Sequence, residues 1–383
     1  MADTLELLET LVGLDTTTRG SNLELISFVE DLLDRHGVAS SRVPSPDGTK
    51  ANLLARIGPD VEGGVVLSGH TDCVPVTGQP WSRDPFTLDQ QDGLLYGRGA
   101  TDMKGFVAAV LAALEEMTSA GLRRPILLAL SYDEEIGTVG APSLVEHLLA
   151  TQARPAAVIV GEPTRMETVT AHKGIRSFVT TVHGRDAHSS QPHRAANAVA
   201  AAARIASYID DLAQEHHRAG RDPRFDPPHT TFNLATITGG QAINIVPRLC
   251  ELAWEYRPVP DDDGEQIKEQ VDAFIEAEVL PRLHAGIGEG HVVTTADALV
   301  RAMATEEDGV ADRLVRELTG YDGPQRTVAF GTDGGHFQAA GLSTVVCGPG
   351  SIDQAHQPDE YLEVEQLRAC ERMIEALIST SEE

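Results

Sequence analysis

Four short, almost unbroken apolar runs constrain this chain most: Val65–Ser68, Ile126–Leu130, Ala157–Val160 and Thr344–Val346. Each is too short for a helix, and none alternates polar with apolar residues as a strand with one wet face does. Such runs read as strands covered on both sides. That is the situation of a parallel sheet, whose successive strands need long crossover connections. The intervening sequence supplies them, because apolar residues recur at helical spacing around 4–13, 21–36, 103–118 and 141–150. The pattern predicts an α/β fold, with a larger domain built on a mixed sheet flanked by helices.

The stretch 177–297 has another rhythm. The strand FVTTVHG, an alanine-rich helix (195–214), the strands TTFNLATI and CELAWEYR, a helix (264–284) and the strand HVVTT succeed one another in order. That β-α-β-β-α-β order is the ferredoxin-like pattern, a compact unit that can be inserted into a larger domain. The expected organisation is therefore 1–176 with 298–383 as the larger domain and 177–297 as the insertion. The polar segment HHRAGRDPRFDPPH (216–229) is expected to be an exposed connection. A length of 383 residues leaves room for two domains, each with its own core.

Charge and cysteine usage narrow the classes further. There are 30 Lys+Arg against 58 Asp+Glu, a formal net charge of −28 with no offsetting basic stretch, which argues against a nucleic-acid partner. Cys73, Cys250, Cys347 and Cys370 are scattered with no C-x-x-C pair, the pattern of reduced thiols. The opening MADTLELLETLVGLDT lacks the basic start and apolar core of a signal peptide. No run approaches the roughly 20 apolar residues that span a bilayer. A soluble cytoplasmic protein is expected, with no membrane partner.

The apolar runs lead into side chains able to bind a metal. VVLSGH ends at His70, with Asp72 two residues on; ILLALSYDEE ends at Glu134 and Glu135. AVIVGEP carries Glu162, STVVCGPGS leads to the loop bearing His356, and Asp102 lies in YGRGATDMKG before the stretch 103–118. Ligands gather at the carboxyl ends of strands in open α/β sheets, so these residues are expected at one sheet edge. Singly, each has an ordinary reading: Asp102 as a helix N-cap, the strand-end Glu and His as solvated groups, Glu134–Glu135 as a surface charge pair. Together they favour a metal site.

Imidazole plus carboxylate without thiolate suits Zn²⁺, or Co²⁺ or Mn²⁺ in its place. Two histidines and three carboxylates exceed the needs of one tetrahedral ion, so two metals sharing a bridging carboxylate are expected. Asp72 is placed to accept the other ring N–H of His70. Of Glu134 and Glu135, one can ligate while its neighbour acts as general base on activated water. The phosphate loop, the dinucleotide fingerprint, G-x-S-x-G and HExxH are all absent from the sequence. A hydrolase using metal-activated water remains.

The blocks GHTDCVPVTGQPWSRDPF, YGRGATDMKG, YDEE, GEPT, AHKG, AHSS, GGQAINIVP and GPGSIDQAHQPDEYL resemble one bacterial family over about residues 65–363. It is the family of acetylornithine deacetylases, succinyl-diaminopimelate desuccinylases and aminoacylases. The resemblance implies that His70 and Glu162 hold one zinc, Glu135 and His356 the other, and that Asp102 bridges them. It implies that Asp72 orients His70, that Glu134 is the general acid/base, and that the insertion is a lid and dimerisation domain. His188 in DAHSS would reach the neighbouring subunit's active site. Asn244 and Arg257 would bind the substrate's α-carboxylate, and Lys173 and Gly350 would line the pocket.

The closing block and AHKG look most like the acetylornithine deacetylase branch, whose reaction turns N²-acetyl-L-ornithine into L-ornithine and acetate in arginine biosynthesis. A small N-acyl amino acid and a homodimer through the lid domain are the implied partners. Within the family, a succinyl-diaminopimelate desuccinylase, a broader N-acyl-amino-acid hydrolase and a dipeptidase share the metal site and remain alternatives. In a different class stands a non-catalytic metal-binding module, which loss of a ligand or of Glu134 would favour; neither is lost.

Overall fold

The computed structural model describes residues 3–382 except 221, 263 and 287. The chain divides into two compact units: Met1–Ala171, Met303–Thr327 and Thr332–Glu383 form one, His172–Ala302 and Val328–Gly331 the other.

The larger unit is built on an eight-stranded mixed sheet. Its order is Ser40–Pro44, Ala51–Ile57, Ile126–Ser131, Val65–His70, Ala157–Val160, Thr344–Val346, Val169–His172, Arg326–Val328. The four apolar runs are adjacent strands, parallel to one another, and every residue in them is buried. A sheet flanked by helices leaves those strands no wet face, which is why the runs are unbroken. Parallel pairing also levels their carboxyl ends. His70 pairs with Ser131, Ser68 with Val160 and Val160 with Val346. The loops leaving these strands therefore emerge along one edge.

The helix Thr4–Gly13 starts at Asp3, whose carboxylate accepts the Leu5 N–H, and it buries Leu7, Leu8, Leu11 and Val12. The single helix expected over 103–118 is instead two, Gly105–Ala112 and Leu114–Ser119. The first is buried along all but its last residue, a core helix in the strict sense. Asp102 has an extended backbone (φ −127°, ψ 90°) and precedes Lys104, the residue at the N-cap, so the capping reading does not hold.

The second unit has Ile175–His183, Ala198–Ala219, Thr231–Gly239, Leu249–Arg257, helical turns over 264–284, and His291–Val300. Its sheet order, Thr231–Gly239, Leu249–Arg257, Ile175–His183, His291–Val300, is antiparallel throughout and ferredoxin-like. A separate core of Phe178, Ile205, Ile209, Trp254, Tyr256 and Val271 holds it. The segment expected as an exposed connection differs in two ways. The helix runs on to Ala219 before Gly220 ends it, and within the connection Asp222 and Phe225 are buried. The Lys173 ammonium secures it by donating to the carbonyls of Pro227 and His229, at 2.9 and 2.8 Å.

Among the described residues no helix is long and apolar enough to cross a membrane. All four cysteines are free and buried.

Candidate metal centre

His70 occupies the last position of its strand and is 1 % exposed. Its Nδ1 lies 3.0 Å from the backbone carbonyl of Asp72. A carbonyl only accepts, so Nδ1 carries the proton and Nε2 is the atom presented to the carboxylates. That Nε2 lies 3.0 Å from Oδ1 of Asp102 and 3.6 Å from Oε1 of Glu162. The second oxygen of Asp102, Oδ2, lies 3.3 Å from Nε2 of His356, which is 2.9 Å from Oε2 of Glu135. Two groups result, His70–Asp102–Glu162 and Asp102–Glu135–His356, the donor atoms of each within 4.8 Å of one another. Asp102 belongs to both, one oxygen turned toward each histidine.

Asp72 is placed otherwise than its spacing suggests. Its backbone carbonyl, not its carboxylate, is the nearer partner of His70, the carboxylate oxygen standing 3.7 Å from Nδ1. The carboxylate instead accepts the N–H groups of Glu134 and Glu135, at 3.1 and 3.2 Å. One buried side chain thus positions both members of the Glu134–Glu135 doublet. Asp133, in the left-handed region (φ 52°), is tied by a buried ion pair to Lys50.

Packing these groups away from water disfavours their charged forms. Burial pushes the Glu135 carboxyl up to about 7; the Asp102 charge adds to the rise and the hydrogen bond with His356 opposes it. Burial likewise raises Glu134 and Glu162 well above the usual carboxylate range, reinforced by the neighbouring carboxylates. For His356, burial opposes the charged ring, but hydrogen bonds to Asp102 and Glu135 prevail and lift it to about 10. Asp102 goes the other way: despite burial, its bonds with His356 and His70 hold it below the ordinary range. Ligation of a cation requires these groups deprotonated and so works against the rise that burial causes. Imidazole and carboxylate donors, with one carboxylate shared between two groups, fit a pair of divalent cations.

Three parts of the surroundings escape a reading of the sequence alone. Asp333 is buried, accepts the Ser131 hydroxyl at 2.6 Å, and is pushed by burial up to about 6. Arg98 and Glu360 form a buried pair at 2.7 Å. Gln79 donates to the backbone carbonyl of His356. Glu360 stands inside the block GPGSIDQAHQPDEYL and Arg98 inside YGRGATDMKG, but nothing local marks them as partners.

Of the remaining predicted residues, Gly350 lies in the larger unit at φ 86°, where an added Cβ would fall 1.9 Å from Oγ1 of Thr101. Close packing beside the Asp102 loop accounts for that glycine. His188, Asn244, Arg257 and Lys173 lie in the second unit. His188 is brought beside the Asn244 loop by backbone pairing with Ile245 and by the Ser189 N–H donating to the Asn244 carbonyl. The Ser190 N–H donates to Nδ1 of His188 at 3.2 Å, so in the neutral ring the proton sits on Nε2. Arg257, half-buried at its strand end, pairs with Glu255 at 3.2 Å. The Lys173 ammonium is occupied by the two carbonyls described above.

Two cation positions sharing one carboxylate serve to activate water against a carbonyl, and by fold and site the molecule is a metallohydrolase. The family model for peptidase family M20/M25/M40 matches residues 66–380, and the chain belongs to that family. It is 36 % identical to an acetylornithine deacetylase of Myxococcus xanthus over 98 % of this chain and 97 % of the relative. An acetylornithine deacetylase of Pasteurella multocida (strain Pm70) is 32 % identical over 96 % and 94 %. Among solved structures, an M20 family metallo-carboxypeptidase from Sulfolobus solfataricus matches with a TM-score of 0.76 at 19 % identity, covering 100 % of both chains. That likeness concerns the fold.

Proposed function

We propose that this protein removes the acetyl group from N²-acetyl-L-ornithine, giving L-ornithine and acetate in arginine biosynthesis. The observation that carries the reading is Asp102, turned with one oxygen toward each histidine. It stands in a chain 36 % identical to an acetylornithine deacetylase over nearly its whole length. When bound, two divalent cations (zinc, or cobalt or manganese in its place) polarise the acetyl carbonyl and lower the pKa of water from about 15.7 toward about 7. His70 and Glu162 would hold one, Glu135 and His356 the other, and Asp102 both.

Glu134 takes the proton from the attacking water and returns it to the departing amine, a task that burial, by raising the carboxyl's affinity for a proton, favours. Asp72 steadies Glu134 through both transfers by binding its N–H. His188, carrying its proton on Nε2, donates to the oxygen on which negative charge develops. One such donor is worth about 3–4 kcal/mol in the transition state. Asn244 and Arg257 bind the α-carboxylate. Lys173 and Gly350 shape their loops rather than touch substrate.

The reading includes a homodimer formed through the second unit. Thr231–Gly239 is an edge strand of that sheet with Leu234 and Ile237 exposed, a surface suited to pairing with a second copy. The reading also takes the enzyme to be cytoplasmic, which four free buried thiols, suited to a reducing compartment, support.

The test is a comparison of kcat/KM on zinc- or cobalt-loaded protein for acetylornithine, succinyl-diaminopimelate, acetylmethionine and a dipeptide. Acetylornithine should lead by at least about tenfold, the discrimination that roughly 1.4 kcal/mol provides. A lead by another substrate reassigns the acyl amino acid, and no turnover of any refutes the hydrolase reading.

A further inference from the structure

Arg98 and Glu360 are each 1 % exposed, and a buried ion pair is a poor source of stability on its own account. What the Glu360 carboxylate does is accept four hydrogen bonds. Oε2 takes Arg98 Nη1 at 2.7 Å and the Gly99 N–H at 3.0 Å. Oε1 takes the N–H groups of Thr101 and Asp102, at 2.9 and 3.2 Å. The backbone carbonyl of Glu360 also accepts the Gly97 N–H at 3.0 Å. The turn that aims Asp102 at both histidines is therefore built around one side chain.

The same arginine reaches the loop of His356. Gln79 Oε1 accepts from Arg98 Nη2 and from Trp81 Nε1. Two donors on that side fix the amide orientation, so Nε2 is the atom that donates to the His356 carbonyl, at 2.9 Å. His356 is itself left-handed (φ 62°) in a loop where its side chain is 47 % exposed, a conformation that needs an external tie. Asp359, also left-handed (φ 55°), is tied in parallel: its carboxylate accepts the Ser82 N–H and hydroxyl, at 2.9 and 2.7 Å.

We propose that Arg98, Glu360 and Gln79 form a positioning clamp that sets the affinity of the second cation position, that of Asp102, Glu135 and His356. The inference rests on the two-cation reading above. His70 and Glu162 are placed by their own strand ends and touch none of the three clamp side chains through the bonds described. Of the residues at the two positions Gln79 bonds directly to His356 alone and reaches Asp102 only through Arg98 and Glu360, so its loss falls mainly on the second position. Glu360 acts through Asp102, which both positions share, so its loss reaches both and falls hardest on the second.

The experiment is a Co²⁺ titration of the metal-free protein, followed by calorimetry and by the visible absorption of each equivalent. Wild type should take up two equivalents. Gln79→Ala should bind the first within twofold of wild type and the second about 10–100-fold more weakly, the usual loss when a group supporting a ligand is removed. Gln79→Glu keeps acceptors for Arg98 and Trp81 but sets an oxygen against the His356 carbonyl. It should therefore weaken the second equivalent as the alanine does. A purely structural Gln79, acting through Arg98 and Trp81, would leave that variant like wild type. Glu360→Gln should weaken both equivalents, and if it fails to fold the two Gln79 variants decide. A second equivalent within twofold of wild type in both Gln79 variants overturns the clamp alone. A wild type that binds one equivalent overturns the two-cation reading and the clamp with it.

Discussion

Metal-free protein should lose stability as the pH rises from about 4.5 to about 8, and Glu135 should account for a measurable share. The Glu135 side chain is 6 % exposed, and burial carries its carboxyl from an ordinary 4.5 to about 7. Its folded pKa lies above its unfolded one, so the folded state binds more protons between the two. Stability from this group is intact below about 4.5 and is lost as the pH climbs through about 7, a loss of roughly 3 kcal/mol. Asp333, raised by burial from 3.8 to about 6, acts with the same sign. The histidines do too: His70 and His356 are raised above 6.5, so their contribution is present below that pH and lost above it. Asp102, held low, works in reverse, costing stability only below 3.8.

Surface repulsion from a net charge of −28 also grows with pH, so a control variant is required. Glu135→Gln removes the Glu135 titration, weakens the lift on His356, which acts with the same sign, and leaves that background. Urea unfolding followed by far-UV circular dichroism, in chelator at pH 5 and pH 8, gives the two slopes. The fall in stability should be shallower in the variant by about 3 kcal/mol. Parallel slopes, or wild-type stability rising with pH in chelator, would refute the reasoning. Added zinc should reverse the wild-type trend, because ligation requires the deprotonated groups.

Three further outcomes are expected. Glu134→Gln should keep two equivalents of metal while kcat falls by about 10²–10⁴, and near-normal kcat would remove Glu134 from the proton transfers. Mixing inactive His188→Ala and Glu134→Gln subunits should regenerate activity if His188 serves the neighbouring subunit; exchanged heterodimers without activity count against that role. Gly350→Ala places a methyl group at φ 86°, 1.9 Å from the Thr101 hydroxyl. It should cost about 2 kcal/mol or more in urea unfolding and lower the metal content by disturbing Asp102; unchanged values on both counts would show that the loop yields freely.

The sequence by itself determined whatever depends on neighbours in the chain. An unbroken apolar run identifies a doubly covered strand, and Ala157–Val160 and Thr344–Val346 have the predicted bounds. The β-α-β-β-α-β order of the second unit was legible for the same reason, since each element announces its own period. So was the gathering of imidazole and carboxylate side chains, because parallel strands deliver the residues beyond their carboxyl ends to a common edge. The break between Ala112 and Leu114 was hidden, since that stretch is apolar throughout and its periodicity carries no phase.

Partnership was decided by the tertiary structure alone. Asp72 sits two residues from His70 yet spends its carboxylate on Glu134 and Glu135, 62 and 63 residues away. The Lys173 ammonium donates to the carbonyls of Pro227 and His229, partners 54 and 56 residues away. Glu360 serves Thr101 across 259 residues. A hydrogen bond depends on where two atoms stand, and folding brings together atoms whose separation in the chain carries no record of the meeting. Residue types and strand ends are local and can be read; which carboxylate holds a cation, and which holds the carboxylate that does, is set by packing.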